Sequence, residues 1–404
     1  MVLTPLMWKS LDNFATSYSY LYPCPLEWDK KSGKLVCNKI SRKLVPWTIS
    51  VFVGMSSIFI FCLVLLSSQL FGLARIELSD LLLTAVFLCL ATFSILLEIV
   101  LLQFADCFSH SFNCGITHLR RLAFGRIFLE SPPHSIDPLG VTLNLIVAMF
   151  SAYPYFMYPF VIYLGIDPFT LTLHYLLPYD LTLLTVIFTL LRLSVISSLI
   201  QGNRLFSCVA VTTTISAHVG LSLISVMHRS TRNIYLMGVG RRAIDKYLSG
   251  YQTCQIILEI AVDFVSSGIL IVMFLGFSFS VALNFMTMKT YGIIPMPFYA
   301  FFPSGSILIA VLISFMLPML VDLFENCGEM YARWKCLVAG NVDKKYLRRK
   351  LKATRVVRLY GGMFGYNIYI CKRSTKLAYY GWILSYTITA LLSVDRKSIL
   401  RRLE

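Results

Sequence analysis

The chain has 404 residues, 57% of them hydrophobic and only 14% charged. Globular domains average about 45–50% apolar and about 25% charged residues, so this composition excludes a disordered chain and argues against water-soluble domains. The net charge is +16, but the basic residues fill gaps between apolar blocks. That is the pattern of loops facing anionic lipid, and no nucleic-acid partner is expected. The expected fold is all-α, a polytopic membrane protein.

A crossing helix needs about 20 apolar residues. The opening MVLTPLMWKSLDNFATSYSY has no apolar core of signal-peptide length, so the first span is expected to act as its own insertion signal. Apolar blocks follow at 47–71, 81–105, 139–165, 181–200, 255–286, 294–320 and 377–394. The block FSCVAVTTTISAHVGLSLISVM (206–227) is apolar enough for an eighth span, but it carries Thr212, Thr213, Thr214, Ser216 and His218.

Loop charge decides between seven and eight. With seven spans and a cytosolic N-terminus, segments 1–46, 106–138, 203–250 and 323–376 lie inside and hold 29 Lys and Arg, against 2 in the three outside loops and 4 in the C-terminal tail, which an odd number of spans puts outside. That asymmetry is the positive-inside pattern. Eight spans would export the 13 basic residues of 323–376. Residues 206–227 are therefore expected to continue one long fourth helix below the membrane. The domains expected are a cytosolic segment 1–46, helices one to six over 47–322 with the extension 203–250, a basic anchor 323–376, and a last helix with a short basic tail over 377–404.

Of the 11 Cys, none falls in an outside loop, and no Asn-x-Ser/Thr sequon is present. No extracellular disulfide is expected. Cys107 and Cys114, near His110 and His118, do not have a zinc spacing, and no metal or cofactor is expected. Without GxSxG, HExxH or P-loop patterns or a nucleophile–base pair, no catalytic residues are assigned, and an enzyme is not expected.

Ionisable residues inside a membrane are costly and read as functional by default. Glu98 and Arg192 fall within spans, and Glu259 and Asp263 share a helix face near the inner end of the fifth. An ion pathway, a buried pair such as Glu98 with Arg192, and snorkelling all remain open. Aromatic residues cluster at the end of the third span (Tyr153, Tyr155, Phe156, Tyr158, Tyr163) and the start of the sixth (Phe298, Tyr299, Phe302). They read either as an interfacial belt or as the wall of a pocket for a small organic ligand. The stretch 323–376 reads as an amphipathic helix at the lipid surface or as a contact between subunits.

The C-terminal third carries a distinctive string: LFENCGEMYARWKCLVAG with Gly328, Tyr331 and Trp334, then LRRKLKATRVVRLYGGMFGYN, then KLAYYGWILSYTITALL. This resembles the arthropod odorant and gustatory receptor superfamily. Gly361, Gly362 and Phe364 supply its Gly–Phe step, Ser385-Tyr386 stands for its Thr-Tyr, and Leu392-Ser393 falls near the place of its absent Gln-Phe. HYLLPYD (174–180) looks like an entry segment of that family. The resemblance implies a seven-helix chemosensory receptor of the plasma membrane, acting as a ligand-gated non-selective cation channel. It implies a homo- or hetero-tetramer of related subunits anchored through 323–376, with Trp334 buried there and the last helices lining the pore. Ser385, Thr389, Leu392 and Ser393 lie near one face of that helix and become the candidate pore residues. Gly361 and Gly362 are expected to free the backbone before it. The alternative, a G-protein-coupled receptor, requires the opposite orientation and an Asp-Arg-Tyr-like motif that this chain lacks.

Overall fold

The computed structural model describes residues 4–39, 41–124, 137–177, 182–237, 241–292, 296–339, 344–354, 356–363 and 365–393. Helices dominate. In chain order they are α1 (Pro5–Ser17), α2 (Val45–Thr48), α3 (Gly54–Leu70), α4 (Leu78–Phe124), α5 (Pro138–Tyr163), α6 (Pro168–Leu176) and α7 (Thr182–Met237). There follow α8 (Arg241–Ile260), α9 (Val262–Lys289), α10 (Met296–Tyr299), α11 (Phe301–Ala339), α12 (Lys344–Ala353) and α13 (Arg373–Ser393). A π turn over Ile49–Val53 joins α2 to α3. Two antiparallel hairpins are added to the all-helical expectation: β1 (Leu26–Asp29) with β2 (Lys34–Cys37), and β3 (Tyr360–Met363) with β4 (Tyr366–Ile370).

Among the described residues, six helices are long and apolar enough to cross a membrane. The expected seventh, α13, has the length at 21 residues. It is less apolar, because tyrosines, threonines and serines recur along it.

The fourth long helix is continuous through the disputed block. At about 1.5 Å per residue, the 56 residues of α7 run about 84 Å, nearly three times a hydrocarbon core of about 30 Å. Its threonines do not break it. Thr212 donates to Cys208 O at 2.7 Å, and Thr214 donates to Ala210 O at 2.6 Å. A hydroxyl satisfied by its own helix leaves the side chain compatible with burial. α11 likewise runs unbroken past the expected boundary at 323. The expected block 255–286 is divided instead, where α8 ends and α9 begins around Ala261.

The ionisable residues are resolved differently from the expected pair. Arg192 Nε bonds Asp167 Oδ2 at 2.9 Å, and its Nη2 donates to Ile162 O at 2.6 Å. Asp167 caps α6, accepting from Thr170 N at 3.0 Å. Arg192 thus ties α7 to the α5–α6 corner, and Glu98 stays fully buried with neither oxygen partnered. Glu259 and Asp263 are exposed, and Glu259 accepts from Gln255 at 2.8 Å. The N-terminal segment is built into the bundle. Met7, Leu11 and Phe14 are the buried stripe of α1, Asn13 donates to Asn144 of α5 at 2.7 Å, and Glu27 of β1 pairs with Arg204 of α7 at 2.8 Å.

Gly361 and Gly362 serve closeness rather than freedom. Neither has a positive φ. A Cβ on Gly361 would run into the Tyr369 ring, and one on Gly362 into the Tyr366 carbonyl. The turn's positive φ of 82° belongs to Gly365. The side chain of Trp334 is 4% exposed and lies edge-on to Tyr251, ring centroids 5.2 Å apart, so its burial comes from α8 of the same chain rather than from a neighbouring subunit. Phe364 and Pro178–Asp180 of HYLLPYD lie outside the described residues.

Candidate ligand cavity and last helix

A cavity of about 200 Å³ lies between α3, α4, α5, α7, α9 and α11. Its wall is almost wholly apolar, as in small-molecule sites whose few polar groups set orientation. Tyr153, Tyr158 and Phe302 of the expected aromatic set line it. Tyr155, Phe156 and Tyr163 are 53%, 65% and 87% exposed and turn away from it. Tyr299 lies outside the wall, with its hydroxyl donating to Thr287 O at 3.0 Å. The side chain of Phe298 lies outside the described part of the structure.

Helical geometry explains the division on α5. Phe150, Tyr153, Met157, Tyr158 and Val161 recur at the three-to-four residue spacing of one helix face and all line the cavity. Tyr155, Phe156 and Tyr163 fall off that face. That spacing is present in the sequence and separates the two sets.

Besides the Tyr153 and Tyr158 hydroxyls, the polar groups of the wall come from other helices. Asn203 of α7 donates to the Tyr158 hydroxyl and to Leu199 O, both at 2.9 Å. Tyr153 donates to Ser304 at 3.0 Å, and its ring meets Phe301 edge-on at 5.4 Å. Ser94 of α4 is fully buried in the wall with its hydroxyl unpartnered. Among the described residues, no charged side chain lines the cavity. It therefore suits a neutral, apolar molecule with a hydrogen-bonding group, and disfavours a charged or heavily hydroxylated one. Asn203, Ser94, Phe150 and Met157 are additions to the residues singled out from the sequence, and Phe301, part of the sixth-span aromatic cluster, joins the wall.

The last helix rests on the cavity's far wall. Gly276 of α9 and Ile309 and Ile313 of α11 line the cavity, and Ile309 and Ile313 pack in one cluster with Tyr379 of α13. Within α13, Tyr379 and Thr387 are the buried residues. Ser385, Thr389, Leu392 and Ser393 lie on the opposite, exposed face, with Leu392 82% exposed. Thr389 donates to Ser385 O and Ser393 to Ala390 O, each at 2.9 Å, which leaves their oxygens free to accept. Among the described residues, no group of three His, Cys, Asp or Glu is placed to hold a metal.

No family model matches the sequence, and no curated protein matches it. Among solved structures, the insect olfactory receptor OR5 from Machilis hrabei, in complex with eugenol, is similar over 96% of this chain and 98% of its own. The TM-score is 0.58 at 11% identity. The likeness is one of fold, that of a polytopic helical membrane protein.

Proposed function

We propose that the chain is a chemosensory receptor of the odorant or gustatory kind, and that it works as a ligand-gated non-selective cation channel in the plasma membrane. A small organic ligand occupies the 200 Å³ cavity. Four subunits, identical or related, place their α13 helices around a common pore, with Ser385, Thr389, Leu392 and Ser393 facing it. The segment 323–376 contributes the contact between subunits. The observation that carries this reading is the shared wall: Ile309 and Ile313 face the cavity and also hold Tyr379 of α13. A change in cavity occupancy therefore has a direct packing route to the helix proposed to gate. The fold shared with an olfactory receptor solved with eugenol supports the same ligand class. A G-protein-coupled receptor would need the reverse orientation, against the 29 Lys and Arg of the inside segments and the 2 of the three outside loops.

Whole-cell recording tests this directly. The chain, alone and with a related subunit, is expressed and exposed to small neutral aromatic and aliphatic alcohols. A cation current appearing within milliseconds and without added nucleotide is expected. Current that depends on G-protein coupling would overturn the channel reading.

A further inference from the structure

A second, smaller cavity of about 100 Å³ lies among α4, α7, α8, α9 and α11. Three glycines from three helices open it: Gly115 of α4, Gly220 of α7 and Gly268 of α9. Glycine inside a helix is unfavourable relative to alanine. None of the three has a positive φ, so the backbone does not demand glycine. Space does not demand it either. A Cβ on Gly268 would meet nothing within 4 Å, and one on Gly220 would meet Leu323 at 3.6 Å, ordinary contact. What the three glycines supply is room.

That room has one polar corner. Ser216 lines the cavity with its hydroxyl buried and unpartnered. Thr213, three residues before it on the same face of α7, donates its only hydroxyl proton to Val209 O at 2.5 Å. Thr213 is left with lone pairs to offer and Ser216 with a proton to give. Ser111, the other hydroxyl in the wall, is already committed to Ile257 O at 2.6 Å. Among the described residues, no charged side chain lines the cavity. A single hydroxyl both donates and accepts, so it completes Thr213 and Ser216 together, whereas a carboxylate or an ammonium completes only one and stays uncompensated. Dry apolar cavities of this order take up small apolar molecules.

We propose that this small cavity is a second binding site, for a neutral apolar alcohol whose hydroxyl sits between Thr213 and Ser216. It is distinct from the ligand cavity, although both reach Val272, Leu312 and Ile313. The proposal stands on the cavity alone and does not depend on the channel reading.

The test is photolabelling of the purified full-length chain in nanodiscs with a butanol that carries a diazirine on its chain, a probe small enough for the cavity. Labelled residues are located by peptide mass spectrometry. Label is expected on the peptides carrying Val219–Leu223 and Ile257–Ile269, and excess butanol should compete it away. The diazirine of butane and the butanoate analogue should label these peptides less. Gly268→Leu fills the open space and should abolish this label while leaving any label on the Phe150–Val161 peptide unchanged. Ser216→Ala keeps the shape and removes one hydrogen bond, so about a fivefold weaker competition by butanol is expected. Should Gly268→Leu not fold, Gly268→Ala, whose added methyl meets nothing, takes its place and should reduce the label. Undiminished label in the filled variants would mean lipid-facing attachment and overturn the proposal. So would equal labelling by the butane probe, or label confined to the large cavity, or a Ser216→Ala variant indistinguishable from wild type, as expected if water alone satisfies the serine. Because the readout is covalent attachment, the site is tested equally well in a chain that carries no current.

Discussion

The Tyr379 hydroxyl donates to Met273 O at 2.8 Å and lies 2.9 Å from where a Cβ would stand on Gly276. Glycine at 276 is what lets the last helix approach α9 closely enough for this bond. Met273 borders the small cavity and Gly276 the large one. The bond therefore fixes α13 at a point where both cavities can be felt.

Loss of that bond should release the last helix. Tyr379→Phe removes one hydrogen bond with a net worth of about 1 kcal/mol, which corresponds to about a fivefold shift in a two-state equilibrium. Gly276→Ala places a methyl 2.9 Å from the hydroxyl and 3.2 Å from Ile313, and should displace Tyr379 further. Both variants are expected to raise ligand-independent current at matched surface level, with Gly276→Ala the larger. Wild-type basal current in both would reduce Tyr379 to packing.

Ligand selectivity should follow the inward face of α5 and not its aromatic content. Tyr158→Phe removes the acceptor used by Asn203 and costs that half-buried amide one of its two partners, a loss of about 1.5 kcal/mol. Half-maximal concentrations for hydroxylated ligands should rise about tenfold, with little change for hydrocarbon ligands of similar size. Tyr155→Ala and Phe156→Ala, on the exposed face, should leave both dose–response curves in place. If the exposed pair shifts them and Tyr158→Phe does not, the large cavity is not the ligand site.

Much of the architecture is legible in the sequence because charge and apolar length are one-dimensional signals. The unbroken α7 follows from where 13 basic residues would otherwise have to go, and the helix indeed runs through Phe206–Met227. Sites are three-dimensional, and only part of one shows along a line of residues. An aromatic cluster read by composition alone names residues without naming a face; helical spacing separates Tyr153 and Tyr158 from Tyr155 and Tyr163, but only the packed bundle shows which of the two faces meets a cavity. Asn203 and Ser94 give no signal because each is an ordinary polar residue until another helix brings a cavity to it. Gly361 looks like freedom in a loop, and only the Tyr369 ring packed against it shows that its missing side chain is what counts.

Thiol accessibility should report topology. Cys107 and Cys336 are exposed, and both fall in segments that the basic-residue asymmetry places inside. Cys24 and Cys371 are buried, and burial pushes each thiol up to about 11. A thiol with a raised value stays protonated and unreactive until the pH approaches it, so neither should label at neutral pH. A membrane-impermeant maleimide should modify none of the four on intact cells. After permeabilisation it should modify Cys107 and Cys336, and leave Cys24 and Cys371 untouched below about pH 9. Labelling of Cys107 on intact cells would reverse the orientation and remove the main objection to a G-protein-coupled receptor.

Trp334→Ala should act on the fold before it acts on assembly. The indole is buried against Tyr251, which also accepts from Val357 N at 3.2 Å, so one aromatic pair joins α11 to α8 and to the segment leading into β3. Truncating a buried Trp costs about 3–5 kcal/mol. The expected result is a lower melting temperature of the detergent-solubilised chain, together with loss of surface expression. Unchanged melting with dissociated oligomers would place Trp334 at a subunit contact instead.

The gate can be tested without disturbing the fold. Leu392 is 82% exposed, at the end of a helix whose buried side carries Tyr379 and Thr387, so little packing within the chain is lost on replacing it. In a tetramer with α13 at the axis, four copies of Leu392 form an apolar ring, and a narrow apolar ring closes a pore by making a water column unfavourable. Leu392→Ser changes all four walls at once, so a small gain in wetting per copy multiplies. Raised ligand-independent cation current is expected at an unaltered surface level. Thr389 offers a free oxygen on the same exposed face, its proton already given to Ser385 O. Thr389→Val removes that acceptor while keeping the shape, and should lower single-channel conductance without changing the dose for half-maximal response. If both variants conduct as wild type, the exposed stripe of α13 faces lipid and the ion path lies elsewhere. Were Leu392→Ser alone silent, Thr389 would still line the path, and the constriction would belong to another turn of the helix.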